Sequence, residues 1–371
     1  IKYNKNNKLN IEIIINIKII YYLLFILTMV FNIGIPKEIK NNENRVSIVP
    51  NDILKLINKC DNIYIETNAG LNSNYTDDDY IKVGAIICKN KKELFNNANL
   101  IIKVKEPQFE EYNLIKSNHI VFGFFHFAGN NNLINAMLES KSQCIAYETI
   151  LDDNNIPIIL YHMSKLAGEN AMIEAHKFNN NLDFNISFIG FGNVGLAAFN
   201  KALEYGYKNI NIIDINFEKI KNIKKTYLYF NIFEMNNDNL KYLMNISNII
   251  IGSIHNIGKK TDKIINDNLL NTMPNDALFI DVAIDQGGMT TQSIPTTYDN
   301  PIIKYNNINL FCVPNIPSIN GNKASNILSH SILPYVLKIL NCVDKSHLIN
   351  DIYIKNGINI SNGEILNKNI I

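Results

Sequence analysis

The stretch from Asn185 to Asp214 leaves this chain the fewest choices of fold. A short apolar run, Ile186–Ile189, meets a tight turn of Gly190, Phe191, Gly192, Asn193, Val194 and Gly195. An amphipathic segment to about Tyr207 follows, and a second apolar run ends in Asp214. Two such runs joined by a glycine turn and a helix-length segment make a βαβ unit, the repeating piece of a parallel sheet. Gly190 permits the turn, Gly192 lets the backbone approach a diphosphate, and Gly195 lets the helix close on the sheet with its N-terminus toward the phosphates. Asp214 stands about 20 residues beyond the turn, where a carboxylate accepts from both ribose hydroxyls and repels a 2′-phosphate. A glycine-rich turn also occurs in ordinary α/β sheets; the flanking runs and the placement of the acid favour a bound dinucleotide, NAD rather than NADP.

At 371 residues the chain is too long for one small core and suits two α/β domains. With 35 Lys+Arg against 34 Asp+Glu it carries no charge excess that would attract nucleic acid, so a small molecule is the expected partner. Cys60, Cys88, Cys144, Cys312 and Cys342 are scattered, odd in number and without metal-ligand spacing, which reads as reduced thiols in a cytoplasmic protein with no metal site. Residues 1–28 lack Gly, Ala, Pro, Ser and Val altogether, and their apolar run Ile19–Leu27 is short of the roughly 20 residues that span a bilayer. They are expected to form an extension outside the domains, with no membrane span, the functional chain starting at Met29.

From Asn32 onward apolar runs and helical patterns alternate, so the expected fold is α/β with two doubly wound, Rossmann-like domains and a cleft between them. Asn32–Ile35, Asn62–Glu66, Leu100–Val104, Ile120–Phe125 and Cys144–Tyr147 read as strands of the first sheet. Asn51 and Asp52 are placed to cap a helix through Lys59, and Thr76 with Asp77, Asp78 and Asp79 marks another helix start. Ser164–Phe178 reads as a helix leading into the dinucleotide unit. Asn248–Ile251, Ala277–Val282 and Leu310–Val313 continue the second sheet, Leu310–Val313 as its last strand, and Ala324–Leu340 reads as the helix that returns to the first domain. The expected division is a discontinuous substrate domain, 29–158 with 318–371, holding a dinucleotide domain, 159–317, as an insertion.

Ligands in open α/β sheets bind beyond the carboxyl ends of strands. Four residues lie there. Arg45 follows the first strand, Lys105 ends the Leu100 run, His126 ends the Ile120 run, and Asp285 lies past the Ala277 run. A guanidinium fork and an ammonium together suit a small carboxylic acid. A histidine that passes protons near neutral pH, with a carboxylate facing it from the other domain, suits oxidation of an amine or alcohol beside that acid. Taken singly, a loop Arg or Lys is more often just solvated, and Asp285 could simply cap the Gly287–Gly288 turn; the shared position is what raises all four.

These residues sit in segments that resemble the alanine dehydrogenase family and, more distantly, the transhydrogenase α subunit. The segments are GIPKEIKNNENRV at 34–46, KVKEP at 103–107, FFHFAG at 124–129, AYET at 146–149, MSKLAG at 163–168, GFGNVG at 190–195, DIN at 214–216, DVAIDQGG at 281–288 and PTTYDNP at 295–301. The resemblance implies that Arg45 and Lys105 hold the substrate carboxylate and that His126 and Asp285 are the acid/base pair. It also implies that Ser164, Asp214 and the turn Gly190, Gly192, Asn193, Val194, Gly195 touch NAD, with Gly252, Ser253, Ile254, Asn315 and Ile316 lining the nicotinamide side. The implied reaction interconverts L-alanine with pyruvate and ammonium, and the implied assembly is a homo-oligomer, a hexamer. The chain departs from the family at 177–183, KFNNNLD, where alanine dehydrogenases carry a glycine-rich loop. That compact connection, and VPNIPS at 313–318, are similar to the N5-(carboxyethyl)ornithine synthases, which condense pyruvate with an amino-acid amine. A nucleotide-binding regulatory protein would need no acid/base pair.

Overall fold

The computed structural model describes residues 31–128, 130–216, 218, 221, 230–254, 261–342 and 346–370; the expected extension, 1–28, lies outside them. Six strands form in the first part of the chain: β1 (Asn32–Ile35), β2 (Asn62–Glu66), β3 (Ile86–Cys88), β4 (Leu100–Ile102), β5 (Ile120–Gly123) and β6 (Gln143–Ala146). The next are β7 (Ile186–Ile189), β8 (Ile210–Asp214), β9 (Asn231–Glu234), β10 (Ile249–Gly252) and β11 (Leu278–Asp281). The last are β12 (Ile302–Tyr305), β13 (Ile308–Phe311), β14 (Ile358–Ser361) and β15 (Glu364–Ile365).

They make two sheets, ordered β3-β2-β1-β4-β5-β6-β14-β15 and β9-β8-β7-β10-β11-β13-β12. All pairs are parallel except those made by β14, β15 and β12, which run antiparallel at the edges. Both sheets therefore start in the middle, run outward to one side, and return to run outward on the other, which is the doubly wound plan expected from the sequence. The strand order reverses between β1 and β4 in the first sheet and between β7 and β10 in the second. Helices cover both faces, so central strands are buried on both sides and read as unbroken apolar runs. Ile33 and Ile102 point into one core while Ile101 and Val121 point into the opposite one; Phe188 and Ile251 are divided from Ile189 and Ile250 in the same way.

Five helices matter to the site: α1 (Pro50–Leu56), α2 (Asp77–Lys82), α3 (Ile158–Phe178), α4 (Asn193–Tyr205) and α5 (Gly321–Leu340). In α2 the expected start is present as a reciprocal box between Thr76 and Asp79. The expected cap of α1 is not. Val49 is its N-cap and Pro50 opens it, because Asp52 is buried and accepts instead from Ser329 Oγ at 2.6 Å and Lys55 Nζ at 2.7 Å. The helix expected at Ser164 begins at Ile158 and the one expected at Ala324 begins at Gly321. Leu310–Val313 was expected to end the second sheet, yet β12 pairs beyond β13 as the edge strand. All five cysteines are free thiols.

Candidate active site

The turn after β7 sits at the reversal point of the second sheet, and its geometry follows from three close approaches. Gly190 has φ +85°, a left-handed conformation that side chains rarely take, and a Cβ there would also press on Ser253 and Ile254 just past β10. A Cβ on Gly195 would lie 2.2 Å from Gly190 O, so only glycine lets α4 start so near the strand. On Gly192 a Cβ would meet nothing within 4 Å, which leaves room beside the turn at the N-terminus of α4. Ser253 Oγ donates to Gly190 O at 2.9 Å and fixes the turn from the neighbouring strand. Asp214 accepts from Phe191 N at 2.5 Å and from Asn216 N at 2.7 Å, one bond on each oxygen, and each oxygen keeps a lone pair for a ribose hydroxyl. Beside it a cavity of about 580 Å³ is lined by Ile215, Asn216, Glu218, Lys221 and Glu234.

At the reversal point of the first sheet lie the loops after β1, β4 and β5. The loop after β4 is pinned from beneath: Lys103, fully buried, bonds Glu38 and Glu111 at 3.1 Å each, and Glu38 accepts from Val104 N at 2.6 Å. Burial pushes the Glu38 carboxyl up to about 7, against the pull of Lys103. With Lys103 spent on that packing, Lys105 is the lysine that reaches the cleft, its Nζ 3.4 Å from His126 Nε2. An ammonium has only protons to give, so Nε2 accepts and the ring hydrogen sits on Nδ1.

His126 holds a left-handed backbone, φ +47°, unusual for a residue with a ring. Glu148 maintains it: one carboxylate oxygen accepts from the backbone N–H of Phe125 at 2.9 Å and of His126 at 2.8 Å, and lies 3.6 Å from His126 Nδ1. The other oxygen is buried with no hydrogen-bond partner among the described residues, and burial raises the Glu148 carboxyl to about 7. The His126 ring is 41% exposed, opening on the cleft, yet protein surrounds it on its other sides. Burial, Lys105, Lys40 and Arg45 hold its pKa well below the usual imidazole range, with Asp285 pulling the other way. At neutral pH it is a free base.

Arg45 is 3% exposed and does not present an open fork. Its Nε and one terminal nitrogen, Nη2, bind Glu43 at 2.7 and 2.6 Å, because a buried guanidinium needs a counter-charge. Nη2 also donates to Asn315 Oδ1 at 2.9 Å, and Nη1 faces Met163 Sδ at 3.4 Å. Among the described residues Nη1 meets only this weak sulfur acceptor, while the other two nitrogens are taken by Glu43 and Asn315. Burial would raise Glu43, but Arg45, Lys105 and Asn315 keep it below the usual carboxylate range.

Asp285 lies in the short 3-10 turn after β11, exposed on its own side of the cleft, and accepts from Asn315 N at 3.0 Å. Lys105 with His126 forms one contact, on the loops of the first sheet, and Arg45 with Asn315 and Asp285 another, which crosses to the second sheet; Lys105, Arg45 and Asp285 all act electrostatically on His126. Met163, on α3, touches Arg45, and the carbonyl of Ile316, after β13, accepts from Asn170 of the same helix; Ser164 follows Met163 on α3 and is half-buried. Glu43, Lys40, Glu106 and Glu148 were not singled out by sequence reasoning, although Glu43 and Lys40 lie in the segment 34–46, Glu106 in KVKEP and Glu148 in AYET. Lys40 pairs with Glu106 at 2.5 Å on the rim.

The family profiles described as alanine dehydrogenase/PNT, N-terminal domain, and alanine dehydrogenase/PNT, C-terminal domain, match residues 34–167 and 170–368. An alanine dehydrogenase of Methanococcus maripaludis is 33% identical over 356 residues, 90% of this chain and 94% of that one. One of Staphylococcus saprophyticus is 32% identical over 357 residues, 91% of this chain and 95% of that one. Among solved structures an L-alanine dehydrogenase superposes with a TM-score of 0.83 at 26% identity, covering 91% of this chain and 98% of the other. A transhydrogenase of Sinorhizobium meliloti has the same fold, with a TM-score of 0.78 at 19% identity over 91% of this chain and 99% of that one. With both profiles matched end to end across a doubly wound pair of sheets, the chain belongs to the alanine dehydrogenase/PNT family.

Proposed function

We propose that this chain catalyses the reversible reaction L-alanine + NAD⁺ + H₂O ⇌ pyruvate + NH₄⁺ + NADH + H⁺. The observation that carries it is that Lys105 contacts His126 on the loops of one sheet while Arg45 reaches Asp285 of the other through Asn315, with Arg45 and Asp285 both within electrostatic reach of His126. The open space beside Gly192 and the spare lone pairs of Asp214 fit a diphosphate and a ribose without a 2′-phosphate. Gly190, Gly192, Asn193, Val194 and Gly195 would hold the diphosphate, Asp214 the ribose, and Ser164, Gly252, Ser253, Ile254, Asn315 and Ile316 the nicotinamide end. When bound, NAD⁺ supplies the acceptor for the hydride that leaves the substrate α-carbon.

Lys105 and the Nη1 edge of Arg45 hold the substrate carboxylate. His126, neutral at working pH, takes the proton from the water that adds to the iminium carbon and returns it to nitrogen as ammonia leaves. Asp285, across the cleft, orients that water and stabilises the cationic nitrogen. Substrate domain 29–158 with 318–371 and dinucleotide domain 159–317 close on one another to exclude bulk water. The working form is a cytoplasmic homo-oligomer, a hexamer as the family resemblance implies.

The test is turnover with pyruvate and a reduced nicotinamide, supplying either ammonium or ornithine, read by loss of NADH absorbance and by product analysis. NADH should be consumed with ammonium, alanine should accumulate, and NADPH should serve poorly. Turnover only with ornithine would overturn the reading; relatives named alanine dehydrogenase over nine-tenths of the chain do not favour that outcome.

A further inference from the structure

Asn315 stands where the chain leaves the second sheet, between β13 and the short 3-10 turn Ile316–Ile319 that leads into α5. It is 3% exposed and its backbone is left-handed, φ 60° and ψ 37°, a conformation asparagine tolerates better than other side chains do. Its backbone N–H donates to Asp285 Oδ2 at 3.0 Å. Its side chain turns the other way. Oδ1 accepts from Arg45 Nη2 at 2.9 Å, and Nδ2 donates to Glu43 Oε2 at 2.8 Å and to Asn42 O at 3.1 Å. Both Nδ2 hydrogens are thus spent on the loop after β1.

We propose that Asn315 is a positioning residue that locks the carboxylate anchor Arg45 and the acid/base group Asp285 to one another across the two sheets. This rests on the reaction proposed above. Only a few covalent bonds separate the backbone nitrogen from Oδ1, so a rotation about the Asn315 Cα moves both ends together. Neither hydrogen-bonded partner is free to drift. Arg45 is buried and bound to Glu43, and Asp285 is exposed and would otherwise wander by the width of a rotamer. A carboxylate pulling on the Nη1 edge of Arg45 acts through Glu43 and Asn315 on the placement of Asp285, so the correct acid helps assemble the group that completes its own reaction.

Asn315→Gly keeps the left-handed backbone and removes the side chain; Asn315→Asp keeps the backbone preference and turns a donor into an acceptor facing Glu43. Pyruvate KM and kcat are measured with NADH saturating, together with the pH profile of kcat and the Kd of NADH from its fluorescence. Asn315→Gly should raise KM and lower kcat by about 10- to 100-fold each and move a limb of the kcat profile; because the side chain is spent on Arg45, Glu43 and Asn42, contact with the nicotinamide end falls to the backbone that glycine keeps, so NADH affinity should stay within about twofold. Asn315→Asp should be the worse of the two. Ser318→Ala, which breaks the adjacent bond to Asn42 O, should lower stability and leave KM, kcat and the profile in place. A change in NADH affinity alone, or unchanged KM and kcat in an active enzyme, would overturn the inference and spare the reaction. A wild-type protein idle with pyruvate and ammonium would overturn both.

Discussion

The Lys105 ammonium faces the imidazole of His126 at 3.4 Å, and this contact has a consequence in the pH dependence. In the proposed reaction the neutral ring is the base, so alanine oxidation is expected to rise as His126 loses its proton. Burial comes first among the causes that depress its pKa and Lys105 second, which puts the acidic limb of kcat/KM below the usual imidazole range. Lys105→Met removes a positive neighbour and must therefore raise the pKa and move that limb to higher pH. The height of the profile should also fall, because the proposed anchor for the carboxylate is lost, so the position of the limb is the quantity to read. A limb that stays in place would remove His126 as the titrating group or leave burial as its sole cause. Such residues were visible in the sequence because each follows an apolar run, where strand ends are recognisable. Glu43 and Glu148 were not, because what they do depends on neighbours that only folding brings near: Asn315 lies far along the chain from Glu43, and Glu148 lies a strand and a helix away from the backbone it holds.

At the scale of an element, the pairing of α3 with α4 decides where the dinucleotide turn points. Gly168 lies on α3 against the first turn of α4, where a Cβ would come within 2.1 Å of Val194 O and 2.9 Å of Ala197 Cβ. Backbone cannot yield at such distances, so Gly168→Ala must push the N-terminus of α4 away from β7. The expected loss is about 1–3 kcal/mol in urea unfolding, the usual range for overpacking, with weaker NADH binding in the folded fraction. Equal stability would mean that α4 shifts freely and that the turn is not rigid. Small residues on α3 were legible as an apolar stripe, but the start of the helix was placed six residues late, since a stretch rich in Asp, Asn and Pro before it reads as loop. Edge strands were lost for a related reason. β9 and β12 mix exposed and half-buried residues and lack the continuous apolar signature of central strands such as β4 and β10.

For the whole molecule, two crossings join the sheets, α3 on the way out and the Ile316–Ile319 turn with α5 on the way back. The doubly wound plan of both sheets followed from alternating patterns, whereas the contact between the crossings could not be read from either segment alone. Asn170, buried on α3, donates through Nδ2 to Ile316 O at 3.1 Å, and nearby Lys323 of α5 pairs with Glu169 of α3 at 3.0 Å on the surface. The exposed ion pair contributes little, and the buried bond adds more to the hold between the two crossings, beside the shared packing of Ile159 and Met163 with Leu328 and Ile332. Asn170→Ala leaves a carbonyl without its donor, which costs about 1–3 kcal/mol of stability. If the sheets close on substrate by pivoting at these crossings, the same substitution changes kcat and KM together, because the closed and open arrangements are both set by that joint. Lys323→Ala, which removes only the surface pair, should leave both constants in place. Steady-state kinetics on the two variants, with urea melts alongside, separates a joint from a mere staple: a stability loss in Asn170→Ala with unaltered kcat and KM would mean that the crossings carry no motion used in turnover.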